Sequence, residues 1–305
     1  MRIGTRGSDL ALVQARSVAE SLRKHHPGLV CEVVPIKTRA DRLQEMSIAE
    51  LGGKGVFVKE IEAELLKGSI DLAVHSMKDV PVELPEGLEM AAYPRREDPR
   101  DILVTKGEAL LENLPPGARI GTGSLRRRMQ LLKVRPDLTI IPIRGNLRTR
   151  IDTIEKQGLQ GIILAAAGMA RMGWLREVSQ FLSPDVILPA AGQGVLGIEI
   201  RRDDRDIKEL VSPLNHPETV LEILAERAYL GRLGGGCQVP IAGYARVEGD
   251  SLRISGLVGT PDGRVLIGET LRGGRHEGAA LGRAAADSIL ARGGRRVLDI
   301  EYGSC

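Results

Sequence analysis

Cys237 stands in the stretch "RLGGGCQVPIAG", directly after three glycines and shortly before Pro240. A hydrolytic thiol needs a nearby base, usually histidine, and no histidine in the chain is spaced as its partner. A small buried apolar residue would explain neither the glycines nor the helix-to-strand loop. A thiol used once, as the attachment point for something bulky lying against bare backbone, fits the stretch better. Lys78 and Asp79 follow an apolar run in "AVHSMKDVP". They read either as a surface pair of little energetic worth or as a carboxylate placed to steady a cation or move a proton. Spacing alone leaves both open.

Four further stretches place arginine where an anion could bind. "GTGSLRRRMQLL" opens a helix with Ser124 as its cap, so free N–H groups and partial positive charge collect at its start. Arg126, Arg127 and Arg128 occupy the first turn, where the helix dipole disfavours cations, and that placement points to an anionic partner. "IRGNLRTR" follows a strand and supplies Arg144, Arg148 and Arg150, with Arg144 at the strand's carboxyl end, where open α/β sheets bind ligands. "GTRGS" repeats the arrangement with Arg6 and Ser8, and "AGMARMG" adds Arg171. Together they predict a polyanionic ligand held by two domains. "LGGKGVFVKE" suits a mobile lid or a simple helix entry. "AGQGVLG" formally satisfies G-x-G-x-x-G, but "IEIRR" after it reads as strand, so the nucleotide-binding reading fails.

The elements that must position these residues alternate through the first two-thirds of the chain. Strands at "RIGT", "CEVVPI", "IDLAVHS", "DILVT", "ARIGTG", "LTIIPI" and "GIILAAAG" are separated by helical patterns, the signature of a parallel sheet covered by helices. Ser8 or Asp9 caps a first helix reaching about His25, and "LPAAGQGVLGIEIR" reads as a loop and a strand returning to the first domain. From Pro217 an amphipathic helix leads to the glycines of Cys237. Runs near Val239–Val247, Ser251–Val258 and Val265–Leu271 then predict an antiparallel meander, followed by a helix from about Glu277 to Ala291.

Composition narrows the function classes. At 305 residues the chain is too long for one core, so two or three domains are expected. Aromatic residues make up only 2% and the net charge is +3, which argues against single-stranded nucleic acid. Of 43 basic residues 33 are arginine, the side chain that clamps carboxylate or phosphate with two parallel hydrogen bonds. The three cysteines lie far apart, and the adjacent His25 and His26 read as a solvated helix end, so neither a metal site nor a disulfide framework is indicated. The charged opening "MRIGTRGSDLAL" is not a signal peptide, and no apolar run is long enough to span a membrane. These features predict a soluble protein of a reducing compartment.

The phrases "TRGSDLALVQA", "GGKGVFVKE", "AVHSMKDVP", "REDPRD", "GTGSLRRR", "IRGNLRTR", "ILAAAGMARMG", "LPAAGQG", "AERAYLGRLGGGCQVPI" and "GTPDG" resemble, in order, the porphobilinogen deaminase (hydroxymethylbilane synthase) family. The resemblance implies an α/β fold with two periplasmic-binding-protein-like domains of mainly parallel mixed sheets. It adds a small C-terminal α/β domain with a three-stranded antiparallel sheet. The implied boundaries are 1–94 with 195–212, 100–189, and 217–305. It implies a cytoplasmic, monomeric transferase that condenses four porphobilinogen molecules head to tail with loss of ammonia. Cys237 would hold a dipyrromethane cofactor as a thioether, and Asp79 would be catalytic. Lys78, Asp79, Ser124, Arg126, Arg127 and Gly145 would bind the cofactor. Arg6, Ser8, Arg144, Arg150 and Arg171 would bind substrate, and Gly52, Gly53, Lys54, Gly55 and Phe57 would belong to a lid. No metal, nucleic acid or membrane is implied. Gly7 and the Asp9–Leu10 pair depart from the family pattern in the first loop. A non-enzymatic clamp for organic anions would use the same arginines but leave Cys237 and Asp79 without a role.

Overall fold

The computed structural model describes residues 1–38, 55, 57–234 and 239–302, so Cys237 and the expected lid positions Gly52, Gly53 and Lys54 lie outside the described residues. The chain divides into two compact units, residues 1–97 with 194–220, and residues 98–193 with 221–305. The first begins with β1 (Arg2–Arg6), α1 (Asp9–His25), β2 (Glu32–Ile36), α2 (Lys59–Leu66), β3 (Leu72–Ser76) and β4 (Leu88–Ala92). The second opens with β5 (Asp101–Thr105), β6 (Arg119–Gly121), α3 (Leu125–Val134) and β7 (Thr139–Ile141). It continues with α4 (Leu147–Lys156), β8 (Gly161–Ala165), α5 (Ala166–Arg171) and β9 (Gln180–Leu182). The chain then supplies β10 (Leu196–Arg201) and α6 (Arg205–Val211) to the first unit. It ends in α7 (Pro217–Leu233), β11 (Ile241–Glu248), β12 (Ser251–Gly259), β13 (Leu266–Gly274), α8 (Gly278–Ile289) and α9 (Arg295–Tyr302).

The two five-stranded sheets have orders β2-β1-β3-β10-β4 and β7-β6-β8-β5-β9. Each is mixed, where alternation alone predicts parallel strands. β1 pairs in parallel with β2 and β3, and β6 with β7 and β8, whereas β10 and β5 run antiparallel to their neighbours. The reason lies in connectivity: β5 and β10 are the strands with which the chain enters a unit from the other one, so no crossover helix dictates their direction. The short strands β4 and β9 escape the sequence reading, since "LEMAA" and "QFL" carry too few alternating apolar residues to stand out.

In the first unit the Ser8 side chain accepts from Ala11 N and caps α1, whose small apolar face (Ala15, Val18, Ala19, Leu22) packs on Ile3, Leu72, Val74 and Ile198. Each such fully buried aliphatic side chain contributes roughly 1.5–3 kcal/mol. α1 ends at a half-buried His26 whose Nε2 meets Leu210 O at 2.8 Å, so only His25 of the pair is solvated. The opposite face of the sheet carries Ile61 and Leu65 of α2 against Ile70, Ala73 and Leu88. Among the described residues, two carboxyls and one imidazole are buried in this unit: Glu62, Glu199 and His75. His75 Nε2 donates to Glu199 Oε2 at 2.9 Å, while Glu199 Oε1 has no partner among the described residues. Burial, and then the charge of Glu199, raise the Glu62 carboxyl to about 7, with His75 and Lys59 opposing.

The second unit covers its sheet on both faces. Leu103, Ile120, Ile163 and Leu131 form one core, and Ile102, Val104, Ile162 and Met169 the other. The β11-β12-β13 meander packs on α7 and α8 with a core of its own. Its centre is Tyr229 of α7, fully buried, whose ring lies on the cross-strand pair Gly243 and Gly256. A Cβ at either glycine would overlap the ring, so the bare backbone there is a packing requirement.

The folded protein holds the Glu62 proton over a pH range where the unfolded chain, with its carboxyl near 4.5, has released it. The associated stability is present below pH 4.5 and lost as pH rises through about 7. Glu62→Gln is therefore expected to gain on the parent protein by roughly 2 kcal/mol between pH 5 and pH 8, read by urea unfolding. A gap that does not change with pH would place the charge elsewhere.

Candidate active site

Strand direction gathers the expected site residues. β1 and β3 are parallel, so Arg6 at the end of one and the Met77–Asp79 turn after the other emerge from one edge of the first sheet. The turn is held by Met77 N donating to Val195 O at 3.0 Å. Lys78 and Asp79 are half-buried, and among the described residues the Asp79 carboxylate has no hydrogen bond or ion pair. Arg6 stacks over the Phe57 ring at 4.5 Å, joining an expected substrate arginine to an expected lid residue. Gly55, two positions earlier, has φ +76°, and Ser8 spends its side-chain oxygen on the α1 cap.

In the second unit β6, β7 and β8 are parallel, and the segments after them carry Ser124 to Arg128, Arg144 to Arg150, and Arg171. The Ser124 side chain accepts from Arg127 N, and Asn146 from Thr149 N, so both helices begin where the sequence predicts. Gly145 adopts φ +99°, a conformation that favours glycine, and turns the chain so that its carbonyl accepts from Arg150 Nε at 2.8 Å. Arg148 stacks on Trp174 at 4.3 Å and lies 3.7 Å from Glu177. Arg144 is exposed and has no partner among the described residues.

Arg126 and Arg127 differ from the expectation. Both are 5% exposed, and both meet an anion supplied by the protein itself. Asp101, the first residue of β5, is fully buried beside the end of β8, because β5 runs antiparallel to it and pairs Asp101 with Ala165. Its Oδ2 accepts from Arg126 Nη1 at 2.6 Å. Its Oδ1 accepts from Arg127 Nε at 3.0 Å, Arg127 Nη2 at 2.7 Å and Gln193 Nε2 at 3.0 Å. Burial alone would raise the Asp101 carboxyl, but the two arginines override it and hold the group well below the usual carboxylate range. Arg126 Nη1 and Gln130 Nε2 both donate to Leu188 O. The same loop is tied to α7 and β11 by Glu226, fully buried, which accepts from Gly192 N at 2.6 Å and from Ala245 N at 2.8 Å.

Sequence reasoning missed Asp101, Gln193, Glu226 and the His75–Glu199 pair. The available signal was a single polar residue within or at the start of a buried apolar run, as in "DILVT", "LAVHS" and "LGIEIR". Among the described residues no group of three His, Cys, Asp or Glu could hold a metal ion. None of their helices is long and apolar enough to cross a membrane.

Residues 1–209 match the family model "Porphobilinogen deaminase, dipyromethane cofactor binding domain", and residues 220–291 match "Porphobilinogen deaminase, C-terminal domain". The porphobilinogen deaminase of Syntrophus aciditrophicus is 50% identical over 299 residues, covering 98% of both chains. That of Geobacter metallireducens is 50% identical over 302 residues, covering 99% of this chain and 95% of the relative. Among solved structures, the Bordetella pertussis BvgS periplasmic VFT2 domain overlaps 70% of this chain and 85% of its own, at 13% identity and a TM-score of 0.41. A Salmonella typhimurium periplasmic binding protein overlaps 70% of this chain and 90% of its own, at 16% identity and a TM-score of 0.39.

The contacts separate the arginines by their effect on stability. Arg127→Leu strands part of a buried carboxylate and is expected to cost about 3 kcal/mol or more. Arg144→Leu removes no contact and should stay within about 0.5 kcal/mol of the parent. Urea unfolding of the two variants checks the contrast; equal losses would contradict it.

Proposed function

The chain belongs to the porphobilinogen deaminase family, and from that premise we propose that it joins four porphobilinogen molecules head to tail to give the linear hydroxymethylbilane. Membership makes it a transferase of tetrapyrrole synthesis that condenses porphobilinogen and carries a dipyrromethane group. A group bearing several carboxylates suits the donor set of the second unit: the open guanidinium of Arg144, the buried Nε of Arg128, which has no partner among the described residues, and Arg126. When bound, it supplies the free pyrrole carbon to which the first substrate is joined. Cys237 would hold it through a thioether sulfur, and Lys78, Ser124 and Gly145 would bind it.

Each addition replaces the substrate's aminomethyl C–N bond with a C–C bond. The C–N electron pair leaves with ammonia, and the accepting pyrrole carbon gives up one proton. Asp79 accepts hydrogen bonds from pyrrole N–H groups, and its charge stabilises the cation formed on the substrate as ammonia departs. Every porphobilinogen brings two more carboxylates, which explains the number of arginines. Arg6, Arg144, Arg150 and Arg171 pair with acetate and propionate groups, and Ser8 assists. The segment holding Gly52, Gly53, Lys54, Gly55 and Phe57 serves as a lid. The enzyme works as a monomer in the cytoplasm, on a small-molecule substrate and without nucleic acid. Its three domains are 1–94 with 195–212, 100–189, and 217–305.

The observation that carries this reading is the Asp79 carboxylate, half-buried at the end of a buried strand and neutralised by no cation. An anion-binding clamp has no use for it. Asp79→Ala is expected to fold with the parent's Tm and to lose turnover by about a thousandfold; near-normal product formation would remove Asp79 from the mechanism. The reading as a whole is tested by denatured intact mass. Two linked pyrrole units mapped to Cys237, and absent in Cys237→Ser, are expected. A bare mass that persists after incubation with porphobilinogen would leave the anion clamp.

A further inference from the structure

Asp101 does not treat its two arginines alike. Arg127 donates from all three of its nitrogens: Nε and Nη2 to Asp101 Oδ1, and Nη1 to Ile163 O at 3.0 Å. The Nε and Nη2 groups form the edge with which a guanidinium grips a carboxylate through two parallel hydrogen bonds. In Arg127 that edge is taken by the protein's own carboxylate. Arg126 spends only Nη1, on Asp101 Oδ2 and Leu188 O, and among the described residues its Nε and Nη2 edge has no bonding partner. The charges divide the same way. Two guanidiniums and one carboxylate sum to one net positive charge, and the geometry places it on the arginine whose edge is open.

Gln193 and Gln130 keep this division in place. Gln193 Nε2 bridges Asp101 Oδ1 and Pro99 O, fixing the carboxylate from the side away from Arg126 Nη1. The Gln130 side chain accepts from Leu188 N at 2.7 Å and donates to Leu188 O and Arg126 O, fixing the carbonyl that holds Arg126. Both guanidiniums are thus orientated before any ligand arrives, which spares the rotamer entropy of ordering them on binding.

We propose that Asp101 sorts the pair, making Arg127 a positioning residue and leaving Arg126 to present the open edge to a carboxylate of the growing pyrrole chain. This rests on the reading that the second unit binds an oligopyrrole, and it replaces an equal share for the two arginines with two distinct roles.

The test compares full-length Arg126→Gln, Arg127→Gln and the double variant Asp101→Asn/Arg127→Gln. Three quantities are read: Tm, the fraction of protein carrying covalently bound pyrroles after incubation with porphobilinogen, and KM. Arg126→Gln also takes the donor from Asp101 Oδ2 and should lower Tm, but beyond that it should lose about tenfold in pyrrole loading and raise KM about tenfold, the effect of one charge-assisted pair. Arg127→Gln should lower Tm because it strands a buried carboxylate. The double variant removes that charge and should bring loading and KM back to within about threefold of the parent. A restored Tm with KM still raised about tenfold would mean that Arg127 itself holds ligand, and would overturn the sorting. So would an unchanged KM and loading in Arg126→Gln. If the double variant does not fold, Arg127→Lys decides: it keeps the charge beside Asp101 and should stay within about threefold, whereas a tenfold rise overturns the proposal. If the parent enzyme makes no tetrapyrrole, the function reading fails by itself. The sorting is then judged by calorimetry, from the same variants' affinity for a dicarboxylated pyrrole.

Discussion

A carboxylate with no exposed surface is a severe constraint, and the second unit is organised around satisfying the one on Asp101. Taking such a charge out of water costs several kcal/mol, which is offset only when its oxygens are well supplied with donors. Here they come from α3 and from the loop leading to β10, while Ile163 O of β8 receives the remaining nitrogen of Arg127. A strand start, a helix start, a loop and the middle of a neighbouring strand are thereby fixed relative to one another. The same interaction makes tolerable a helix that begins with three arginines, since Asp101 supplies the negative charge that the positive helix end lacks.

The two sheets repeat one pattern of strand order, with three parallel strands delivering functional side chains from a single edge and an antiparallel strand inserted beside them. The pattern is used for opposite electrostatic ends. In the first unit that edge carries Asp79, an uncommitted anion; in the second it carries arginines, one pair of them held by an internal counter-charge. The proposed reaction, which passes through a cation while its substrate accumulates carboxylates, would use both kinds of group. Each stands in the segment that directly follows a strand of the repeated sheet.

Much of this was legible in the sequence because it rests on local rules. Ser8, Ser124 and Asn146 announce their helices through capping, and the period of apolar residues marks β1, β3, β5, β6, β8 and the meander. Arg144 and Asp79 could be singled out because they follow strands. The partners of Arg126 and Arg127 could not, since Asp101 stands 25 residues before Arg126 and 92 before Gln193 and meets them only once the second unit has folded. Nor could the direction of β5 and β10, which follows from where the chain re-enters a sheet rather than from any residue within them. The burial of His75 with Glu199 was hidden for the same reason. Each looks like a lone polar residue until the antiparallel register sets β10 against β3.

That register has a consequence for how the chain is made. His75 and Glu199 are 124 residues apart, and β4 joins the first sheet only through β10. On a ribosome adding about 5–20 residues per second, β3 waits on the order of ten seconds for its partner while the intervening unit emerges. During that interval the first unit is a three-stranded fragment with an unpaired edge and a histidine lacking its carboxylate. Such an edge invites pairing with another nascent chain. The first unit cannot be completed before residues 98–193 of the second have been synthesised, so a chain truncated before residue 196 lacks the strand that joins β3 to β4.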